Sequence, residues 1–193
     1  MNYKHNIEDL HTLRTSFHEF CGFFMSQTYS VLYCLGRVFV FNRNIKYIVE
    51  IGTGQGGLTL FFGVNMLARG GKVISFDISR PLPQWFVAKK KFPIKFYQLD
   101  VFGEEAAEIV ENFIKEVPKD EKLLIFCDGG NKPKEMLKYS KMLRPGDFIM
   151  AHDWMKEIWE FNVKDMPYLE YYEQNMFDTH KTRVLSMKRK LEN

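Results

Sequence analysis

Between residues 46 and 153, five short runs rich in β-branched and aromatic residues, KYIVEIG, KVISFD, IKFYQLD, KLLIFCD and GDFIMAHD, recur at intervals long enough to hold a helix. Strands separated by helical lengths do not pair as tight hairpins, so the pattern predicts βα units and a mostly parallel sheet. Helices are expected near Gly57 to Ala68, Leu82 to Lys91, Gly103 to Val117 and Lys134 to Leu143. Ahead of the first strand, Leu10, Leu13, Phe17 and Phe20 recur at helical spacing and predict a helical cap over roughly residues 6–38. Near the end, YLEYYE and TRVLSMKR read as two strands joined by a short loop, an antiparallel hairpin closing the sheet edge. No repeat or linker divides the chain, so a single domain over residues 1–193 is expected, with residues 1–45 as cap and residues 46–193 as core.

Composition narrows the partners. Of 193 residues, 46% are apolar and 16% aromatic, enough for one buried core and too much for a disordered chain. The 27 basic and 24 acidic residues are interspersed, apart from Lys89 to Lys91 and the Lys188, Arg189, Lys190 tail. A polyphosphate partner demands a denser basic stripe, so nucleic acid is not expected. Cys21, Cys34 and Cys127 form no CxxC pair, which suits a reducing, cytoplasmic setting. The start lacks the apolar core of a signal peptide. The greasy stretch Phe20 to Phe41 is broken by Ser26, Gln27, Thr28 and Arg37, so no membrane span is expected.

The first strand runs directly into GTGQGG. Glycines there allow a tight turn and let a ligand approach without meeting a Cβ atom. Asp77 ends the next strand, 21 residues after Gly56, where a carboxylate can take ribose hydroxyls. Glu50, two residues before the first glycine, would sit badly beside a pyrophosphate. It suits a ligand bearing an amino group and a sulfonium.

The series EIGTGQGG, SFDIS, YQLDVF and FCDGG, spanning roughly residues 46–187, resembles the ordered motifs of the class I S-adenosylmethionine-dependent methyltransferases. The resemblance implies an α/β, Rossmann-like, seven-stranded, mostly parallel sheet with an antiparallel C-terminal hairpin and the N-terminal helical cap. It also implies that Gly52, Gly54 and Gly56 face the methionine part of the donor, Asp77 its ribose, and Asp100 with Val101 its adenine, with Thr53 and Gly57 also in the donor site. Asp100 reads equally as a cap for the following helix.

Asp128 and Asp153 end the fourth and fifth strands, at the carboxyl edge of the sheet where open α/β folds bind ligands. On neighbouring strands two such carboxylates can converge on magnesium or a similar divalent cation, which would acidify a bound hydroxyl. The segment CDGGNKPKEMLKYSKMLRPGDFIMAHDW resembles the metal-dependent O-methyltransferases, closest to the cephalosporin hydroxylase and macrocin or rhamnosyl O-methyltransferase group. Upstream, FFMSQTYSVLY resembles that group's segment with a characteristic Gln, which makes Gln27 a candidate for the donor or acceptor pocket.

Two departures stand out. The acid usual just before the last metal-binding Asp is here His152, able to ligate a metal or act as a base. The His or Lys often found three residues after the fourth-strand Asp is replaced by Asn131, with Lys132 one step later. Catalytic candidates are thus Asp128, His152 and Lys132, and metal candidates Asp128, His152 and Asp153; Lys132 as a solvated helix-start residue is the plain alternative. Trp154, Trp159 and Tyr29 are candidates to line an acceptor pocket or simply to pack.

The expected activity is transfer of a methyl group from S-adenosylmethionine to a hydroxyl of a small molecule or sugar. The alternatives are a methyltransferase acting on RNA or another macromolecule, against which the charge argues, and a module that binds S-adenosylmethionine without catalysis. The apolar N-terminal section could pack on a second subunit as a homodimer.

Overall fold

The structure, a computed structural model, describes residues 18–79 and 92–191. The chain opens with a hairpin, β1 (His18–Phe20) and β2 (Phe23–Met25), followed by helix α1 (Tyr29–Phe41). Then come β3 (Ile45–Ile51), α2 (Gly57–Leu67), β4 (Lys72–Asp77), β5 (Ile94–Gln98), α3 (Glu104–Lys115), β6 (Lys122–Cys127) and α4 (Lys132–Tyr139). A 3₁₀ turn, Ser140–Met142, leads to β7 (Phe148–His152), α5 (Glu160–Lys164), β8 (Leu169–Tyr171), α6 (Gln174–Thr179) and β9 (Val184–Arg189).

Seven strands form one sheet in the order β5-β4-β3-β6-β7-β9-β8. Every pairing from β5 through β7 is parallel, and β9 runs against both its neighbours. The chain leaves β3 toward β4 on one side and returns to β6 on the other, so the sheet has its switch point between β3 and β6. Ligands bind in open α/β sheets at the carboxyl ends beside such a point.

The sheet is covered on both faces, as near-continuous apolar strands require. Alternate residues divide cleanly. Tyr47, Val49, Ile51, Leu123, Ile125 and Cys127 pack with α3 and α4, while Ile45, Ile48, Leu124, Phe126, Phe148 and Met150 pack with α1, α2 and α6. Helix α3 buries Ala106, Val110, Phe113 and Ile114 at helical spacing. Its first turn carries Glu104 and Glu105 and its last Lys115, each placed to suit the helix dipole.

The seven-stranded, mostly parallel sheet agrees with the sequence reading; three details differ or fall outside it. The expected cap helix of residues 6–38 becomes a hairpin over residues 18–25, with a helix only from Tyr29. The hairpin turns at Cys21 and Gly22, whose φ values of 52° and 82° are the pair a two-residue primed turn needs. Leu10, Leu13 and Phe17, like the expected helix at Leu82 to Lys91, lie outside the described residues. The two C-terminal strands do pair antiparallel, but α6 intervenes instead of a short loop, and β9 inserts between β7 and β8. Among the described residues no helix is long and apolar enough to cross a membrane.

Candidate active site

The carboxyl ends of β3, β4, β6 and β7 open into a cleft of about 1010 Å³. Its first wall is the turn after β3. Gly52 has φ of 90°, and a Cβ there would lie 2.3 Å from the carbonyl oxygen of Asp128, so the strand-end approach of β3 and β6 requires glycine. Gly57 is as constrained: its Cβ would meet β2 backbone, 2.6 Å from the Phe24 oxygen. The hairpin thus rests on the first turn of α2 and carries Phe24, Met25 and Gln27 to the cleft.

Of the predicted donor residues, Gly52, Thr53, Gly54, Gly57, Asp77, Asp100, Val101 and Gln27 line this cleft. The Asp77 carboxylate accepts from the Gly54 N–H at 2.9 Å and, through its other oxygen, from the Ser79 N–H at 2.9 Å. It therefore braces the glycine turn as well as facing the cleft. Asp100 accepts from the Phe102 N–H at 2.9 Å, while Gly103 occupies the helix cap position. Asp100 is a turn residue facing the cleft and not the cap.

Glu50 and Gly56 are placed elsewhere. Gly56, with φ of 86°, is the residue at which α2 begins. Glu50 is fully buried on the α2 face of β3, where its Oε2 accepts from Thr59 and Ser75 hydroxyls, each at 2.5 Å, and its Oε1 has no partner among the described residues. Burial pushes its carboxyl up to about 8, against the pull of the Ser75 and Thr59 hydrogen bonds and with a further push from the charges of Asp128 and Asp77. A carboxyl so placed supports the turn from beneath; direct attraction of a ligand cation, expected from the sequence, is corrected by this burial.

The second wall is formed after β6 and β7. One atom each from Asp128, His152 and Asp153 lie within 4.8 Å of one another. His152 Nδ1 stands 3.4 Å from Asp128 Oδ1 and 3.6 Å from Asp153 Oδ2. The other oxygen of Asp128 accepts from Gln27 Nε2 at 2.5 Å. The three donors can hold a divalent cation, with Gln27 as an outer brace on one carboxylate. Asp153 has φ of 62°, and its carbonyl accepts the N–H groups of Lys156 and Glu157, so the chain leaves β7 in a tight coil.

Lys132 is 6% exposed, which rules out the solvated helix-start alternative. Its ammonium lies 2.9 Å from Glu157, 3.4 Å from Asp153 and 3.8 Å from Asp128, and donates to the Gly129 carbonyl at 3.1 Å. Burial presses its pKa down, but Glu157, Asp128 and Asp153 together leave it raised, so the ammonium stays charged. Asp153 shows the converse: burial pushes its carboxyl up, and His152, Lys132 and Lys156 more than offset that and leave it below the ordinary range. Asn131 occupies the helix cap, its side chain accepting from the Lys134 N–H at 3.3 Å. That explains why Lys132, one residue on, is the cation of this wall.

The sequence reading missed four residues. Glu135, fully buried, takes the Gly129 and Asn131 N–H groups and shapes the loop after β6. Glu157 is the third carboxylate around Lys132, and Lys156 and Arg183 join the cleft lining from the loops after β7 and before β9. The Trp154 N–H donates to the Arg183 carbonyl at 2.9 Å and ties those loops together. Four of the six described non-glycine residues with positive φ, Asp153, Met155, Lys181 and Arg183, sit on them, as is common where a backbone is bent to serve a site. Only the spacing in HDWMKE, an acid three and four residues before Lys156 and Glu157, hints at this. Trp154 is buried against Tyr171, while Trp159 and Tyr29 are exposed; none of the three lines the cleft.

No family model matches the chain, and no curated protein matches it. Solved structures do. A chain described as cmcI-N160 SAH is similar over 89% of this chain and 81% of its own, with a TM-score of 0.63 at 15% identity. A candidate caffeoyl-CoA O-methyltransferase from Staphylococcus aureus is similar over 96% and 92%, with a TM-score of 0.57 at 14% identity. A methyltransferase from Geobacter sulfurreducens is similar over 86% and 78%, with a TM-score of 0.52 at 14% identity. The chain has the fold of these Rossmann-like methyltransferases, as its motif series implied.

Proposed function

We propose that the protein is an S-adenosylmethionine-dependent O-methyltransferase, assisted by a divalent cation and acting on a hydroxyl of a small molecule or sugar. One observation carries the reading: Asp128, His152 and Asp153 converge at one end of the same cleft whose other end is lined by the glycine turn, Asp77 and Asp100. The fold shared with methyltransferases, one similar structure of which is described with SAH, supports the donor.

In such a transfer the acceptor oxygen displaces the sulfonium sulfur in line. The O–C bond forms as the S–C bond breaks, the donor leaves as a neutral thioether, and the hydroxyl proton passes to solvent water. The glycine turn admits the donor without a Cβ in its path, and Asp77 and Asp100 can accept from its ribose and adenine. A divalent ion held by Asp128, His152 and Asp153 would lower the pKa of a hydroxyl beside it. Lys132 is itself held charged and serves to position Asp153 and Asp128, not to take the proton. The cleft is roomy enough for donor and acceptor together, and holding both aligned accounts for much of the rate.

Calorimetric titration with S-adenosylhomocysteine tests the donor, and label transfer from methyl-labelled donor to panels of catechols and hydroxylated sugars, with and without divalent ions, tests the reaction. Binding at micromolar concentration and ion-dependent methyl ethers are expected. Binding without transfer to any acceptor would favour a non-catalytic module, and no binding would refute the proposal.

A further inference from the structure

We propose that Asp128, His152 and Asp153 form a site for a borderline transition-metal ion that accepts four-coordinate geometry, zinc or cobalt, in preference to magnesium. The inference rests on the reading of these residues as a cation site and goes past it to the kind of ion.

The first ground is the donor set. Two carboxylates and an imidazole are a mixed O/N set, and imidazole suits zinc, copper, iron and nickel, whereas magnesium takes oxygen donors and water. His152 is no bystander: its Nδ1 is the atom that faces both carboxylates.

The second ground is spacing. With bonds of about 2.1 Å, donors around a tetrahedral ion stand ~3.4 Å apart, and adjacent donors around an octahedral one ~3.0 Å. The 3.4 and 3.6 Å from His152 Nδ1 to the two carboxylate oxygens are nearer the wider spacing, and all three donor atoms lie within 4.8 Å of one another.

The third is charge. Lys132 and Lys156 already stand within 4 Å of the carboxylates, so much of the negative charge is offset before any ion arrives. An ion held chiefly by charge gains little there. One that bonds to imidazole nitrogen gains a ligand.

Gln27 supplies an independent pointer to a ligand. It is 2% exposed, its Nε2 fixes Asp128 Oδ2 so that Oδ1 is left toward His152, and its own Oε1 is buried with no partner among the described residues. A buried acceptor without a partner calls for a donor such as a water or hydroxyl held beside it.

The test is a titration of the full-length protein, in a Cys21→Ser background that removes the exposed thiol, with zinc, cobalt and magnesium chlorides. Zinc is expected to bind far more tightly than magnesium, and cobalt to give the intense visible bands of a four-coordinate ion. Any mixed site favours zinc to some degree, so His152→Glu decides. In that variant the zinc-to-magnesium affinity ratio should fall by at least about tenfold, the lower end of what even an outer-sphere change costs a bound metal. An unchanged ratio, a six-coordinate cobalt spectrum in the parent protein, or magnesium binding as tightly as zinc overturns the inference. If His152→Glu does not fold, His152→Gln gives the same comparison: zinc should weaken at least tenfold while magnesium does not.

Failure of every ion to bind overturns this inference and the cation assistance with it. Titration of the same samples with S-adenosylhomocysteine then tells whether the donor reading stands.

Discussion

The two walls of the cleft are built on opposite plans. On the donor wall, after β3, β4 and β5, the working groups are mostly backbone, and the acids that face the cleft are each tied to nearby N–H groups. On the wall after β6 and β7, side chains converge: three carboxylates and a histidine gather around a buried ammonium, with separations of 3.4 to 3.8 Å that no short hydrogen bond closes among Asp128, His152, Asp153 and Lys132. Only Glu157 and Gln27 make tight contacts there. A wall of satisfied backbone is rigid and holds one shape. A wall of partly satisfied charges keeps its energy for what enters.

The largest expected effect falls where the walls touch. In Gly52→Ala the new methyl would lie 2.3 Å from the Asp128 oxygen and 2.6 Å from its carbonyl carbon, at a φ of 90° that alanine tolerates poorly. Backbone cannot rotate aside as a side chain does, so a loss of ~4 kcal/mol is expected. At this chain length that lowers the melting temperature by about 8–16 °C. A variant melting within 2 °C of the parent would show that the walls are not mechanically coupled through this contact.

Next comes Glu50, among the described residues the one charge-bearing group buried beneath the donor wall. Its folded carboxyl titrates near 8, far above the ordinary 4.5, so between those values the folded chain holds a proton that the unfolded chain does not. Stability from this group is therefore present at low pH and is lost as pH rises toward 8. Glu50→Gln should flatten that slope and exceed the parent at pH 9 by on the order of 3 kcal/mol. Parallel urea midpoints for both proteins from pH 5 to 9 would contradict the burial argument.

Legibility in the sequence follows the same division. Strands buried on both faces write themselves as apolar runs, so β3, β4, β6 and β7 could be read directly, the edge strand β5 by its aromatic run, and with them the carboxyl-edge position of Asp77, Asp100, Asp128 and Asp153. The hairpin at residues 18–25 could not, since Phe20 fits helical spacing and pairs across a strand equally well; only Cys21-Gly22 marks the turn. Helix α6 is six residues long and rests on tertiary support, the Gln174 side chain donating to the Val184 carbonyl and accepting from the Ser186 N–H of β9. The burial of Lys132 depends on β6 lying beside β7, which brings Glu157 within 2.9 Å. Glu50 sits two residues after Ile48 and hence on its face of β3, which periodicity carries, but an acid at a strand end is more readily read as facing a ligand.

Removing the ammonium from the side-chain wall sharpens the contrast. Lys132→Met leaves Asp128, Asp153 and Glu157 facing one another with the exposed Lys156, 3.5 Å from Asp153, as the remaining counter-charge. Breaking a buried pair costs several kcal/mol, but Glu157 is half open to water, so ~2 kcal/mol is expected. Zinc should restore much of that loss in the variant and add less to the parent, because the ion and the ammonium neutralise the same carboxylates. Equal stabilisation of both proteins by zinc would separate the lysine from the cation site.

The smallest effect should come from Lys156, which reaches the same Asp153 from the solvent side. Its ammonium is 3.5 Å from Asp153 Oδ1, on a side chain that is 58% exposed. Water and salt screen such a pair, so Lys156→Gln should change stability by less than ~0.5 kcal/mol. The sign on ion affinity is opposite to that on stability: one positive charge fewer beside the carboxylates favours an incoming cation, by about two- to fivefold at low salt and less at 0.5 M. The same substitution should leave binding of S-adenosylhomocysteine on the backbone-built wall unchanged. A gain in ion affinity that persists at high salt would mean that Lys156 acts by shaping the coil after β7, not by its charge.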